Sequence, residues 1–275
     1  SNVRVGVNAG NSIQSGGNYN TVVGDEAGTA ITTGDNNVAV GYQAGDAITT
    51  GSLNTFFGAA AGSASATVDS NTAIGAFAFD AGTGADNTAV GSGALGGGSN
   101  SAASNVAVGK DAGNAVTTGA SNTLIGSQAG DALLAAADNV AVGASALSAE
   151  TGGQNNVAIG KNALLVQVNS SGNIYNTVVG SQAGKAVTTA IRNTLIGGLV
   201  GDALTEGARN TAVGYAVLSG DTLGSRNVGI GYEVLGSQNF TTATDSYNTA
   251  VGYAAGNAVT TGVQNTIIGA LAGDA

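Results

Sequence analysis

The sequence predicts an all-β fold, a parallel β-solenoid of about 16 coils with about 17 residues in each. Three observations carry this. A pattern with Asn four residues before Gly, such as Asn37-Val38-Ala39-Val40-Gly41, returns sixteen times between Asn2 and Gly269, and most of its glycines are 17 residues apart. A fixed period of this length marks a stacked array whose units touch mainly their neighbours. The residue before each pattern Gly is Val, Ile or Phe, and the residue three before it is Val or Thr, the side chains that suit a pleated strand. Finally, Gly reaches 47, only 9% of residues are charged and 4% aromatic, and Pro, Cys, Met, Trp and His are absent, a composition for thin coils rather than a bulky core.

Each coil opens on its Asn. Stacked one above another, these amides form a ladder that satisfies itself and the corner backbone, so a structural role is expected rather than a row of ion sites. The strand follows. Its two β-branched positions, Val38 and Val40 in the example, share one face, and they are expected to wall the coil's interior. The Gly then makes a corner where a side chain would be penalised.

The position between the β-branched pair lies on the other face and is also apolar, with Arg4 the one departure. A strand apolar on both faces is buried on both, so this second face is expected to be covered by further copies of the chain. The self-association stripe expected on these grounds includes Val22, Ala39, Phe56, Leu124, Val178, Leu195 and Ile267. At an inter-strand spacing of about 4.8 Å it would run roughly 75 Å, too long to stay exposed.

A second strand is expected after the corner. Three residues past the Gly stands Ala or Val, and the fourth position is either Gly (Gly28, Gly45, Gly113, Gly130) or large (Phe79, Leu95, Leu147, Leu164, Leu218, Leu235). The choice sets the seventh position. After Gly it is large, as in Ile31, Ile48, Val116 and Leu133, with Ser65 the exception; after Leu or Phe it is Gly82, Gly98, Glu150, Gln167, Asp221 or Gln238. One large side chain per coil, from either place, fills a fixed cross-section. The two coil types alternate in blocks of four, and longer connections fall between blocks. The array is treated as one domain, 1–275, and because it opens and stops in repeat phase it is expected to be a segment of a longer fibre protein.

Composition narrows function further. Without His or Cys there is no ordinary nucleophile system or zinc site, so neither an enzyme, a cofactor nor a metal is expected. A net charge of −10 argues against nucleic acid as a partner, and no apolar run is long enough for a membrane-spanning helix. Arg192, Arg209 and Arg226 each stand five residues before a pattern Gly in three successive coils. They predict a cationic ladder, either interleaved with Asp202, Glu206 or Glu233 or in contact with an anionic glycan. Tyr19, Tyr175 and Tyr247 take the same corner elsewhere. A recurring Thr-Thr-Gly, as at Thr32-Thr33 and Thr49-Thr50, hints at an ice-binding plane but is missing from most coils.

Units such as Asn248-Thr249-Ala250-Val251-Gly252-Tyr253 and Asn156-Val157-Ala158-Ile159-Gly160 resemble the head repeats of trimeric autotransporter adhesins and the longer repeats of phage tail fibres. The resemblance covers the whole chain and implies a left-handed β-roll wound as a homotrimer; the coil here is longer than in the adhesin heads. The expected function is a structural or adhesive fibre segment, extracellular, on a cell surface or on a virion, whose partners are itself and a host-surface glycan or receptor. The alternatives are a self-assembling filament or matrix protein without a specific ligand and, behind it, an ice- or polysaccharide-binding protein.

Overall fold

The computed structural model describes residues 1–274. The chain is an all-β parallel β-solenoid of about 16 coils, with no helix among the described residues. It divides into two compact units, Ser1–Asp138 and Asn139–Ala275.

In the first unit each pattern supplies one three-residue strand: β1 (Val3–Val5), β2 (Thr21–Val23), β3 (Val38–Val40), β4 (Thr55–Phe57), β5 (Thr72–Ile74), β6 (Thr88–Val90), β7 (Val106–Val108) and β8 (Thr123–Ile125). Consecutive strands pair in parallel without slip, so that Val22, Ala39 and Phe56 lie in one column. The second unit repeats the scheme with β9 (Val140–Val142), β10 (Val157–Ile159), β11 (Thr177–Val179), β12 (Thr194–Ile196), β13 (Thr211–Tyr215), β15 (Val228–Tyr232), β17 (Thr249–Tyr253) and β18 (Thr266–Ile268). A small second ladder joins β14 (Gly224–Ser225), just before β15, to β16 (Thr244–Asp245), in the longer connection before β17.

The two faces of the strand are the reverse of those expected. Val22, Ala39, Phe56, Leu124, Val178 and Leu195 are wholly buried inside their own coils, while the β-branched positions beside them are half-buried or exposed. Ile267, in the last strand, is half-buried beside an exposed Ile268. The expected self-association stripe is therefore the coil's core. A three-residue strand presents one side chain to one face and two to the other, and a coil this narrow admits the single one. Packing confirms the direction: a Cβ on Gly62 would lie 2.5 Å from the Phe56 ring, and one on Gly229 would lie 2.5 Å from Val217 Cγ1. Phe56 also explains Ser65, which is buried in the same coil where the rule calls for a large residue.

The expected second strand is instead a pair of tight turns. Ala44 N–H donates to Gly41 O at 3.3 Å, and Ile48 N–H donates to Gly45 O at 3.1 Å. The second and fourth residues after the corner take the left-handed conformation, Gln43 at φ 54° and Gly45 at φ 55°. In the other coil type a leucine occupies that fourth place, as Leu147 does at φ 53°. The left-handed conformation costs about 1–2 kcal/mol for a non-glycine residue. Complete burial of the leucine returns about 1.5–3 kcal/mol, which offsets it.

The corner Gly is fixed by close approach. At Gly41 φ is 136°, and a Cβ there would sit 2.5 Å from the carbonyl oxygen of Gly58 in the next coil. Neighbouring corners touch backbone to backbone.

Candidate functional site

The Asn ladder organises the corner on which the surface columns stand. Asn54 N–H and Nδ2 both donate to Asn37 Oδ1, at 3.0 and 3.1 Å, and Asn37 Nδ2 donates to Gly51 O at 2.8 Å. Both polar atoms of the buried Asn37 amide are thus used within the chain, which is the condition for burying it.

In the second unit the ladder meets two spacings that are too long, 20 residues from Asn156 to Asn176 and 21 from Asn227 to Asn248. At both, a buried glutamine accepts the amide proton instead: Asn176 Nδ2 donates to Gln167 Oε1 at 2.8 Å, and Asn248 Nδ2 to Gln238 Oε1 at 2.7 Å. Each glutamine in turn donates to a buried acid one coil earlier, Gln167 to Glu150 at 2.8 Å and Gln238 to Asp221 at 2.6 Å. Glu150 Oε1 also accepts the N–H groups of Thr151, Gly152, Gly153 and Asn169. Burial pushes the Asp221 carboxyl above the usual range, against the hydrogen bonds from Gln238, Gly224, Phe240 and Thr222. These relays are structural, holding the longer connections against the coil. Their sequence signal is an acid and a glutamine 17 residues apart at the seventh position of adjacent Leu-type coils.

The exposed surface is organised in columns. In the first unit the residue before the corner Gly points outward, with Phe57 55%, Ile74 41% and Ile125 40% exposed. In the second unit Ile159, Ile196 and Ile230 do the same. The valines at this position, such as Val40 and Val213, are half-buried. The outcome is an apolar stripe of β-branched and aromatic side chains on the outer face of the strands.

At the end of the strands in the second unit stands a column that the sequence reading missed. Tyr215, Tyr232 and Tyr253 stack with ring centroids 5.4 and 5.3 Å apart, and all three are exposed. Here β13, β15 and β17 run two residues longer than the other long-ladder strands, through Gly-Tyr. The signal was Gly-Tyr at three successive pattern ends. The charge of Glu233 beside Tyr232 raises the pKa of its phenol.

Two residues before β12, β13 and β15 stand Arg192, Arg209 and Arg226, one above another at successive corners. Arg192 and Arg209 are exposed, and neither has an ion pair among the described residues. Arg226 pairs with Asp245 at 2.8 Å and lies 5.5 Å from the centre of the Tyr247 ring. Asp245 holds the Arg226 guanidinium above its usual pKa. Of the three acids expected to interleave, Asp202 pairs with Lys185 at 3.2 Å and Glu233 sits beside Tyr232, while Glu206 is exposed and makes no ion pair among the described residues.

The first hydroxyl of Thr-Thr-Gly is committed to the next coil, with Thr32 Oγ1 donating to Thr49 O at 3.1 Å and Thr49 Oγ1 to Ala66 O at 2.9 Å. In these two coils only the second threonine, Thr33 or Thr50, faces out. Among the described residues there is no pocket and no cluster of three His, Cys, Asp or Glu side chains placed to hold a metal ion. No helix is long and apolar enough to cross a membrane. What the surface offers chemically is therefore apolar contact, stacked aromatic rings and a short cationic column. No family model matches the chain, and no match was found among curated proteins or solved structures.

Proposed function

We propose that the chain is a structural and adhesive fibre segment that assembles with copies of itself through the outward apolar stripe. The observation that carries this is the repetition of Phe57, Ile74 and Ile125, and again of Ile159, Ile196 and Ile230, at one outward register. Isolated apolar residues on a surface need no explanation; a continuous file of them does. A second copy carries the same file at the same spacing, so it is the partner that matches it along its length. The resemblance to trimeric adhesin heads and phage tail fibres supports a homotrimer of left-handed rolls. It also supports a place outside a cell or on a virion, with a host-surface glycan or receptor as partner. A filament without a specific ligand uses the same stripe, and the arginine and tyrosine columns favour the adhesive reading over it.

The test is the pair Ile125→Asp and Ile196→Asp, studied by sedimentation and circular dichroism. Both residues lie outside the coil interior, so the β spectrum is expected to persist while the oligomer dissociates. An unchanged oligomer, or a wild-type chain that sediments as a monomer, refutes assembly through this stripe.

A further inference from the structure

The corner before the Asn ladder carries Asn36, Leu53, Asp86 or Ser104 in other coils, but arginine in three successive coils of the second unit. Arg192, Arg209 and Arg226 take the left-handed conformation, with φ 61, 59 and 64°. Their backbone N–H groups donate to Ile174 O, Ile191 O and Ala208 O at 2.9, 3.0 and 3.0 Å. These bonds stack the corners at the sheet repeat of about 4.8 Å. Tyr175 and Tyr247 hold the same corner immediately before and after the three arginines, and both are half exposed.

The column is a concentration of positive charge in an acidic chain. It holds three of only seven Lys and Arg residues, against a net charge of −10. One of its charges is answered, by Asp245 on Arg226. Arg192 and Arg209 face water without an ion pair. Adjacent like charges repel, and an anion bridging them relieves that repulsion while using the planar donor fork of each guanidinium.

We propose that the column Tyr175, Arg192, Arg209, Arg226 and Tyr247 binds a linear acidic polysaccharide. Carboxylate or sulfate groups bridge Arg192 and Arg209, and sugar rings lie against the two flanking tyrosines. A ligand with a charge on successive sugars matches cations repeated at coil spacing. Nucleic acid, far more densely charged, meets the repulsion of the whole acidic chain. The inference names the ligand of the adhesive reading and rests on it for its setting, but binding at this column does not require the oligomer.

The experiment is titration calorimetry of the full chain with dextran sulfate, polygalacturonate, neutral dextran and a single-stranded oligonucleotide, with sedimentation in parallel. One or both acidic polysaccharides bind, neutral dextran does not, and added salt weakens binding. Arg192→Ala and Arg209→Ala each weaken it roughly fivefold, and together more. The control pair Lys110→Ala and Lys161→Ala removes equal charge elsewhere and leaves binding unchanged. Sulfate against carboxylate preference identifies the anion. The proposal is overturned if no acidic polysaccharide binds, if the control pair weakens binding as much, or if the oligonucleotide binds more tightly. It is also overturned if the arginine variants dissociate the oligomer without affecting binding, which makes the column an interchain contact. Binding by a chain that sediments as a monomer supports the site and refutes assembly through the stripe.

Discussion

Replacing Gly109 by Ala tests whether the corner glycines are required by the neighbouring coil or only by their own backbone. Gly109 has φ 136°, and an added Cβ would lie 2.5 Å from Gly126 O, 2.6 Å from Gly126 C and 3.0 Å from Ser127 N. All three are backbone atoms, so no side chain can swing aside. To restore ordinary contact the next coil must retreat by about 0.9 Å. The bond from Gly126 N–H to Val108 O, 2.8 Å, does not survive that shift, and the bond from Gln128 N–H to Lys110 O, 2.9 Å, is stretched with it. Backbone strain of about 1–3 kcal/mol joins about 1–2 kcal/mol for the two bonds and about 1–3 kcal/mol for overpacking, giving a loss of about 3–8 kcal/mol. Gly172→Ala is the control, since φ there is 99° and nothing lies within 4 Å of the added Cβ. It should cost the conformational part alone, about 1–3 kcal/mol. Denaturant unfolding followed by circular dichroism measures both, and hydrogen exchange at Gly126 and Gln128 locates the damage. Equal losses for the two variants would falsify the close-approach explanation.

Two further outcomes follow from buried polar groups. Asn37→Ala removes the acceptor for Asn54 N–H and the donor to Gly51 O. At about 1–3 kcal/mol for each orphaned buried group, the loss should be about 2–6 kcal/mol, with faster exchange of the Asn54 amide; protection unchanged at Asn54 would show that the ladder is incidental. Burial raises the carboxyl pKa values of Asp46, Asp131 and Asp221 above the ordinary 3.8. Raised acids bind more protons folded than unfolded, so their contribution is fully present below the unfolded value and is lost as pH rises through the folded ones. The unfolding midpoint should accordingly be higher near about pH 4 than at neutrality. Asp46→Asn with Asp131→Asn should flatten that dependence, because each acid has a buried oxygen without a partner; a midpoint that rises steadily with pH contradicts the assignment.

The period, the strand, the corner Gly and the Asn ladder were legible because each depends on one residue type at one spacing. The exchange of a large residue between the fourth and seventh positions was legible for the same reason, since volume must be conserved inside a coil. The inward face was not. Alternation in a strand separates two faces without saying which is interior, and both faces here are apolar. The deciding signal was present but indirect: Ser65 breaks the volume rule in the coil of Phe56, and Val217 and Val234 replace alanine around Gly229, so the middle position belongs to the same packed interior. The turns after the corner were hidden because leucines such as Leu95 and Leu164 take a conformation that glycine usually marks. At the surface, the arginine column was visible as a spacing. Its pairing was not, because Asp245 lies in an irregular connection that no period locates.

The left-handed corner before each Asn has a consequence for how such a protein changes over generations. Asn36, Leu53, Asp86, Ser104, Arg209 and Tyr247 all occupy it with φ between 50 and 62°. Its fixed geometry comes from main-chain bonds and the amide behind it, so the side chain is free to be polar, acidic, basic or aromatic. A mutation there rewrites what the outside world meets while the interior is undisturbed, and each coil offers another such site. Surface chemistry can change one corner at a time, with the coil's interior left as it is.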